Sequence, residues 1–192
     1  MGMKAQPNGM EGIPTIYAGV QFRSRLEAKW AAFFDLIGWR WEYEPFDLAG
    51  WIPDFLLIGA SSVLVEVKPV LKFPAFMADR ITPLVDLAQF EILILGCMCP
   101  IEDHASPYGP QLGWLREGSD FGWDLDWDDA AIVAYPDGRV GFIHGTGYYR
   151  DRIHGEHEQD HPSFDDSLSA DDVRTIWRQA SNVVQWKGAQ NP

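Results

Sequence analysis

Two short runs in this chain combine acids and a cation at a spacing that suits phosphate chemistry. Ile52-Pro53-Asp54-Phe55 sets a carboxylate just before an apolar run, and Val65-Glu66-Val67-Lys68-Pro69 sets a second carboxylate and an ammonium at the end of another. Side chains alternate along a strand, so Glu66 and Lys68 share one face while Val65 and Val67 take the other. Gly59, Ala60, Ser61 and Ser62 separate Phe55-Leu56-Leu57-Ile58 from Val63-Leu64-Val65-Glu66-Val67. A hairpin is the economical arrangement, and it carries Asp54 to the edge that holds Glu66. Two convergent carboxylates suit a hard divalent cation such as Mg²⁺, with Mn²⁺ as a substitute, and a neighbouring lysine can steady an attacking water or the charge that develops on phosphate.

These residues need elements to position them. Over residues 22–37, Phe22, Leu26, Trp30, Phe33 and Ile37 recur at helical spacing with charges between them, and Gly38 supplies a stop. Trp39, Trp41 and Tyr43 then alternate with Arg40, Glu42 and Glu44 as a half-exposed strand ending at Pro45. After the hairpin, residues 76–90 fit a helix despite Pro83, and Ile92-Leu93-Ile94-Leu95 is a short, fully apolar strand. Residues 98–128 resist assignment. Asp137-Gly138 signals a hairpin turn between strands at 131–135 and 139–144. Residues 150–167 read as a charged loop, Ser169 can cap a helix over 170–181, and Val183-Val184-Gln185-Trp186 suits an edge strand. The fold class is therefore α/β: a mixed sheet flanked by helices, with a C-terminal hairpin and helix extension. The expected division is a flexible leader over 1–14, a core over 15–97, and an acidic extension over 98–192 that packs on the core as one domain.

Bulk properties exclude several classes. With 46% apolar and 14% aromatic residues the chain is not disordered, and no stretch approaches the roughly 20 apolar residues of a membrane span. No signal-peptide pattern opens the sequence, and Cys97 and Cys99 stand too close for an easy mutual disulfide, so a cytoplasmic location with no membrane partner is expected. The formal net charge is -13. Residues 1–100 hold 8 Lys and Arg against 11 Asp and Glu, whereas residues 101–192 hold 7 against 17, so most of the excess acidity lies downstream of the motif region.

Taken together, the helix, the strands carrying Pro-Asp and Glu-x-Lys, and the helix and strand that follow resemble the PD-(D/E)XK nuclease superfamily, which includes restriction endonucleases, resolvases and RecB-like nucleases. The resemblance covers residues 22–96 and implies a restriction-endonuclease-like core. In Phe22-Arg23-Ser24-Arg25-Leu26-Glu27-Ala28, Glu27 falls where the family's helical glutamate lies. The resemblance implies that Asp54, Glu66, the Val67 carbonyl and Glu27 hold Mg²⁺, that Lys68, Glu66, Asp54 and Glu27 are catalytic, and that the substrate is DNA, with RNA as the competing polymer. Arg23, Arg25 and Lys72 are the cations placed to contact nucleic acid. RecB-like members often carry Gln and Tyr on the later helix; here Gln89 is followed by Phe90.

Each motif has a plainer explanation as well. Ser24-Arg25-Leu26-Glu27 fits a capping box, and Arg23 is spaced to pair with Glu27 across one helical turn. His154, His157 and His161 suggest a metal face but sit in a polar loop with Gly155. Cys97, Cys99 and His104 lack paired zinc spacing, and Trp123 and Trp127 could stack on bases, although adjacent acids would repel phosphate. The competing function class is a non-catalytic acidic interaction protein, a nucleic-acid mimic or a regulator of a DNA-processing complex, which would meet a protein partner through its acidic second half.

Overall fold

The computed structural model of the chain describes residues 12–88, 90–97, 109–116, 127–144, 150–155 and 168–185. A hairpin of β1 (Thr15–Tyr17) and β2 (Val20–Phe22) comes first, turning through Ala18 and Gly19 at φ 48° and 80°. A two-residue loop with positive φ at both positions matches the twist of the strands it joins. This hairpin was not expected, and it begins where the leader was expected to end.

The helix α1 (Arg25–Leu36) opens on Ser24, whose side chain accepts the Glu27 N–H. It closes at Gly38 (φ 77°), where the Trp39 N–H reaches back to the Phe34 carbonyl and the Gly38 N–H to Asp35. Those two bonds form a Schellman stop. Strand β3 (Arg40–Tyr43) follows, then β4 (Phe55–Ile58) and β5 (Ser62–Val67) as the expected hairpin, helix α2 (Ala75–Ala88), and β6 (Glu91–Leu95). Pro83 lies inside α2, and the helix continues through it, with the Thr82 hydroxyl bonding the Ala78 carbonyl in the adjoining turn. Beyond the core come β7 (Gln111–Arg116), β8 (Asp128–Ala134), β9 (Val140–His144) and α3 (Ala170–Val183).

Among the described residues, seven strands form one mixed sheet in the order β3-β4-β5-β6-β7-β8-β9. Only β5 and β6 run parallel, joined by the crossover through α2; every other neighbouring pair is antiparallel. One face buries Val63, Val65, Leu93, Leu95, Ile132 and Phe142 against α1 and α3, where Trp30 meets Trp177 with ring centroids 4.5 Å apart. The other face buries Leu64, Ile92 and Ile94 against Ala78 and Ile81 of α2. Glu66 and Lys68 have the same strand parity as Leu64, so they rise on the α2 face.

Laid flat, seven strands would span roughly 29 Å. Instead the two edges are bridged: the Trp39 indole N–H, just before β3, donates to the Val140 carbonyl of β9 at 2.7 Å, and its ring lies 5.2 Å from that of Phe142. Residues 151–153 complete the link. The Arg152 N–H bonds the Phe142 carbonyl, while the carbonyls of Arg152 and Ile153 accept from Ser61 and Ala60 in the β4–β5 turn. Curling of this kind leaves fewer open backbone groups at the sheet edges.

Two sequence expectations need correction. Residues 150–155 are not simply a charged loop, because Asp151 and Arg152 are fully buried: Asp151 accepts from the Phe142 and Ile153 N–H groups and the Tyr135 hydroxyl, and Arg152 grips Glu91 through Nε and Nη2. No edge strand begins at Val183, since α3 runs to that residue and Val184 caps it; the amphipathic face that buries Val173, Trp177 and Ala180 outweighs the local β propensity of two valines. Trp186 lies outside the described residues. Among the described residues no helix is long and apolar enough to cross a membrane.

Candidate active site

Backbone pairing sets the site. Phe55 faces Val65 across the β4–β5 ladder, so Asp54 stands opposite Glu66 at the mouth of the hairpin. The Asp54 carbonyl accepts the Glu44 N–H, and its Oδ2 accepts the Val67 N–H at 2.7 Å, which fixes the carboxylate against the strand that carries Glu66. Trp51 arrives by a second Ala-Gly turn. Leu48 and Trp51 exchange backbone bonds around Ala49 (φ 52°) and Gly50 (φ 90°), Asp47 accepts the Gly50 N–H, and the Trp51 indole then donates to Glu66 Oε2 at 3.1 Å.

Two cations complete the arrangement. Lys68 Nζ lies 2.6 Å from Glu66 Oε1 and 4.0 Å from Asp54 Oδ2. The Arg23 guanidinium reaches Asp54 Oδ1 at 2.6 Å and Glu44 Oε1 at 2.8 Å. Asp54 and Glu66 are only 2% and 5% exposed. Burial and the Glu66 charge push the Asp54 carboxyl up to about 7, against the opposing pull of Lys68 and the Val67 N–H. Asp54, Glu66, Lys68, Arg23 and Trp51 line a cleft of about 680 Å³ together with Ser24, Arg25, Glu27, Ile52 and Pro69.

The structure thus brings Asp54, Glu66, Lys68 and Arg23 together and sets Glu27 on the wall of the same cleft, with contacts of its own. Both Glu27 oxygens are engaged: Oε1 by the Ser24 hydroxyl at 2.7 Å, and Oε2 by the Tyr43 hydroxyl at 2.6 Å and the Arg23 N–H at 3.2 Å. Burial and this carboxylate push the Tyr43 phenol up to about 12, so it stays protonated and donates. Glu27 thus lines the cleft while its carboxylate accepts from Ser24 Oγ, the Tyr43 hydroxyl and the Arg23 N–H at the helix start. Arg23 does not form the expected ion pair with Glu27; its guanidinium turns to Glu44 and Asp54 instead. Among the described residues no three His, Cys, Asp or Glu side chains stand close enough to hold a metal ion jointly. The donors that do converge are the hard oxygens of Asp54 and Glu66, and two carboxylates with room for water and phosphate fit Mg²⁺, which keeps much of its hydration when bound.

Other candidates separate. Arg25 lines the cleft and is exposed; Lys72 is exposed on the loop before α2, outside the cleft lining. Val67 lines the cleft with its N–H committed to Asp54. His154 packs on Tyr135 with Nε2 3.1 Å from the Val140 carbonyl, and Trp127 packs on Phe73 while donating to Thr82. Cys97 is a free thiol. Gln89, Cys99, His104, Trp123, His157 and His161 lie outside the described residues.

Sequence reasoning missed Trp51, Glu44 and Tyr43 as members of the site. A signal existed for Trp51, because Ala49-Gly50 repeats the Ala18-Gly19 turn and so points to a tight reversal. Comparison with protein-family models, with curated proteins and with solved structures finds no match for the chain.

Proposed function

We propose that this chain is a metal-dependent nuclease of the PD-(D/E)XK kind that hydrolyses DNA phosphodiester bonds. The observation that carries the reading is the meeting of Asp54 and Glu66 across adjacent strand ends with the Lys68 ammonium between them. The element order supports it: α1, three antiparallel strands, α2 and a strand parallel to the third follow the succession of a restriction-endonuclease-like core.

Each residue has a role. Asp54 and Glu66 would hold Mg²⁺, with the Val67 carbonyl as a further ligand of the family pattern. The bound cation supplies charge neutralisation at the scissile phosphate and a water of lowered pKa. Lys68 orients that water or takes up negative charge in the transition state. Glu27 positions: it ties the start of α1 to Tyr43 and holds the backbone of Arg23. Arg23 and Arg25 line the approach for the phosphate backbone, and Lys72 extends it.

A second reading draws on the same geometry. Arg23 and Lys68 neutralise the carboxylates within the chain, as a purely structural ion-pair network would, and an acidic surface then serves a protein partner. Cleavage of linear, circular and branched DNA, and of RNA, with Mg²⁺ or Mn²⁺ separates the two. The nuclease reading expects metal-dependent cleavage that Asp54→Ala and Lys68→Ala abolish while the variants stay folded. Absence of cleavage on every substrate, with no metal-induced rise in melting temperature, would overturn it in favour of the interaction protein.

A further inference from the structure

The four oxygens of the acid pair divide by the kind of partner each one has. Each carboxylate has one oxygen on a neutral donor that the fold fixes: Asp54 Oδ2 on the Val67 N–H, and Glu66 Oε2 on the Trp51 indole. Each has its other oxygen on a long cationic side chain: Asp54 Oδ1 on Arg23, and Glu66 Oε1 on Lys68. The neutral donors set the orientation of the carboxylates. The cations occupy the oxygens left over by the fixed donors, and they are the more exposed partners, with the Arg23 side chain 55% and the Lys68 side chain 29% exposed against 3% and 7% for the acids.

We infer that Arg23 and the metal ion are alternative occupants of Asp54 Oδ1, so that metal loading releases the guanidinium to take a phosphate oxygen of the substrate. The inference rests on the nuclease reading and extends it to the order of binding. Arg23 is well built for such an exchange. Its Nε lies 2.8 Å from Glu44 Oε1, a second carboxylate that keeps hold of the guanidinium when Asp54 lets go, so the released Nη atoms pivot at the cleft instead of leaving it. Glu44 itself is held at φ 46°, a conformation unusual for a residue with a side chain, and its N–H is bound to the Asp54 carbonyl, so the anchor and the metal ligand are coupled through one backbone contact. A guanidinium freed in this way offers planar paired donors that match phosphate oxygens. A doubly charged ion outcompetes the arginine because the exposed end of that pair is screened by water. In a chain of net charge -13 the exchange also turns an internally neutralised site into one that attracts a polyanion only when metal is present.

The test is isothermal titration calorimetry of Mg²⁺ and Mn²⁺ into the full chain without nucleic acid, for wild type and Arg23→Gln. Loss of the competing cation should tighten metal binding by roughly five- to tenfold. In a second arm, Ca²⁺ is used to hold a DNA duplex without cleavage, and the factor by which Ca²⁺ strengthens DNA binding should fall by a similar amount in Arg23→Gln. Arg23→Lys, which keeps the charge but cannot bridge Glu44 and Asp54 in the same way, should show intermediate metal affinity, and it carries the test if Arg23→Gln does not fold. Unchanged or weaker metal binding in the arginine variants, beside normal binding in wild type, overturns the inference and leaves the nuclease reading standing. A wild-type chain that binds neither ion overturns both.

Discussion

Asp54→Asn, followed across pH without metal, asks whether the acid pair is held in an environment that favours a bound cation. Burial and Glu66 place the Asp54 carboxyl at about 7 in place of an ordinary 3.8. Because the folded-state value lies above the unfolded one, this group's contribution to stability is fully present below pH 3.8 and is lost as pH rises through about 7. Between pH 5 and pH 8 those two values give a loss on the order of 2 to 3 kcal/mol from this one carboxyl. Asparagine cannot ionise, yet its carbonyl oxygen can still accept the Val67 N–H. The stability difference between the two proteins should therefore move by that amount in favour of Asp54→Asn as pH is raised from 5 to 8.

Urea denaturation in EDTA at pH 5, 6, 7 and 8 measures this directly, provided the two proteins share a denaturant slope. Adding Mg²⁺ at pH 8 supplies the complement. An ion bound only to the folded state and present at 100 times its Kd adds about 2.7 kcal/mol, and wild type should gain it while Asp54→Asn gains little. Parallel pH profiles would refute the reasoning, because Asp54 would then be an ordinary carboxylate. A pH effect with no response to Mg²⁺ would keep the electrostatic argument and remove the metal from it.

Trp51→Phe keeps the ring and removes the hydrogen bond to Glu66 Oε2, so metal affinity measured by calorimetry should weaken by roughly tenfold, as loss of a partner that orients a metal ligand usually does. Glu27→Ala strips acceptors from Ser24, Tyr43 and the Arg23 N–H and should lower stability by about 1 to 2 kcal/mol in denaturant melts. Its metal affinity should fall by less than the roughly tenfold that marks a metal-supporting group, and a larger loss would return Glu27 to the metal site. Asp151→Ala leaves the buried Phe142 N–H, the part-buried Ile153 N–H and the Tyr135 hydroxyl without their acceptor and should cost about 3 kcal/mol or more, with Asp151→Asn milder; a change near zero would show that segment to be dispensable.

What the sequence disclosed about the fold follows the range of the interactions involved. α1 was legible because its apolar spacing, its Ser24 cap and its Gly38 stop are all local to one segment. The β4–β5 hairpin and β6 were legible for the same reason, as short apolar runs between turn residues. β7 was not. Gln111-Leu112-Gly113-Trp114-Leu115-Arg116 has neither strict alternation nor a clean apolar run, and a register shift between Gln111 and Gly113 interrupts its ladder with β8. Pairing with β6 on one side and β8 on the other determines this strand, and such pairing is a property of the assembled sheet. The curling of the sheet was equally hidden, since Trp39 and Val140 lie 101 residues apart and nothing near either one announces the bond.

The same distinction divides the site. Asp54, Glu66 and Lys68 could be named because strand periodicity and hairpin register place them with little help from the rest of the chain. Their partners could not, because each partner is chosen by tertiary position. Spacing along a helix pairs Arg23 with Glu27, but Arg23 precedes the first turn of α1, where its side chain is free to leave the helix axis and cross to Glu44 and Asp54. Glu27, relieved of that ion pair, takes the Tyr43 hydroxyl supplied by β3 instead. One local departure thus accounts for two sets of contacts together: it leaves the helical glutamate to Ser24 and Tyr43 and delivers a guanidinium to the acid pair. The fold therefore places a cation of its own on Asp54 Oδ1, and the proposed competition between that guanidinium and a metal ion is the property on which an experiment can act.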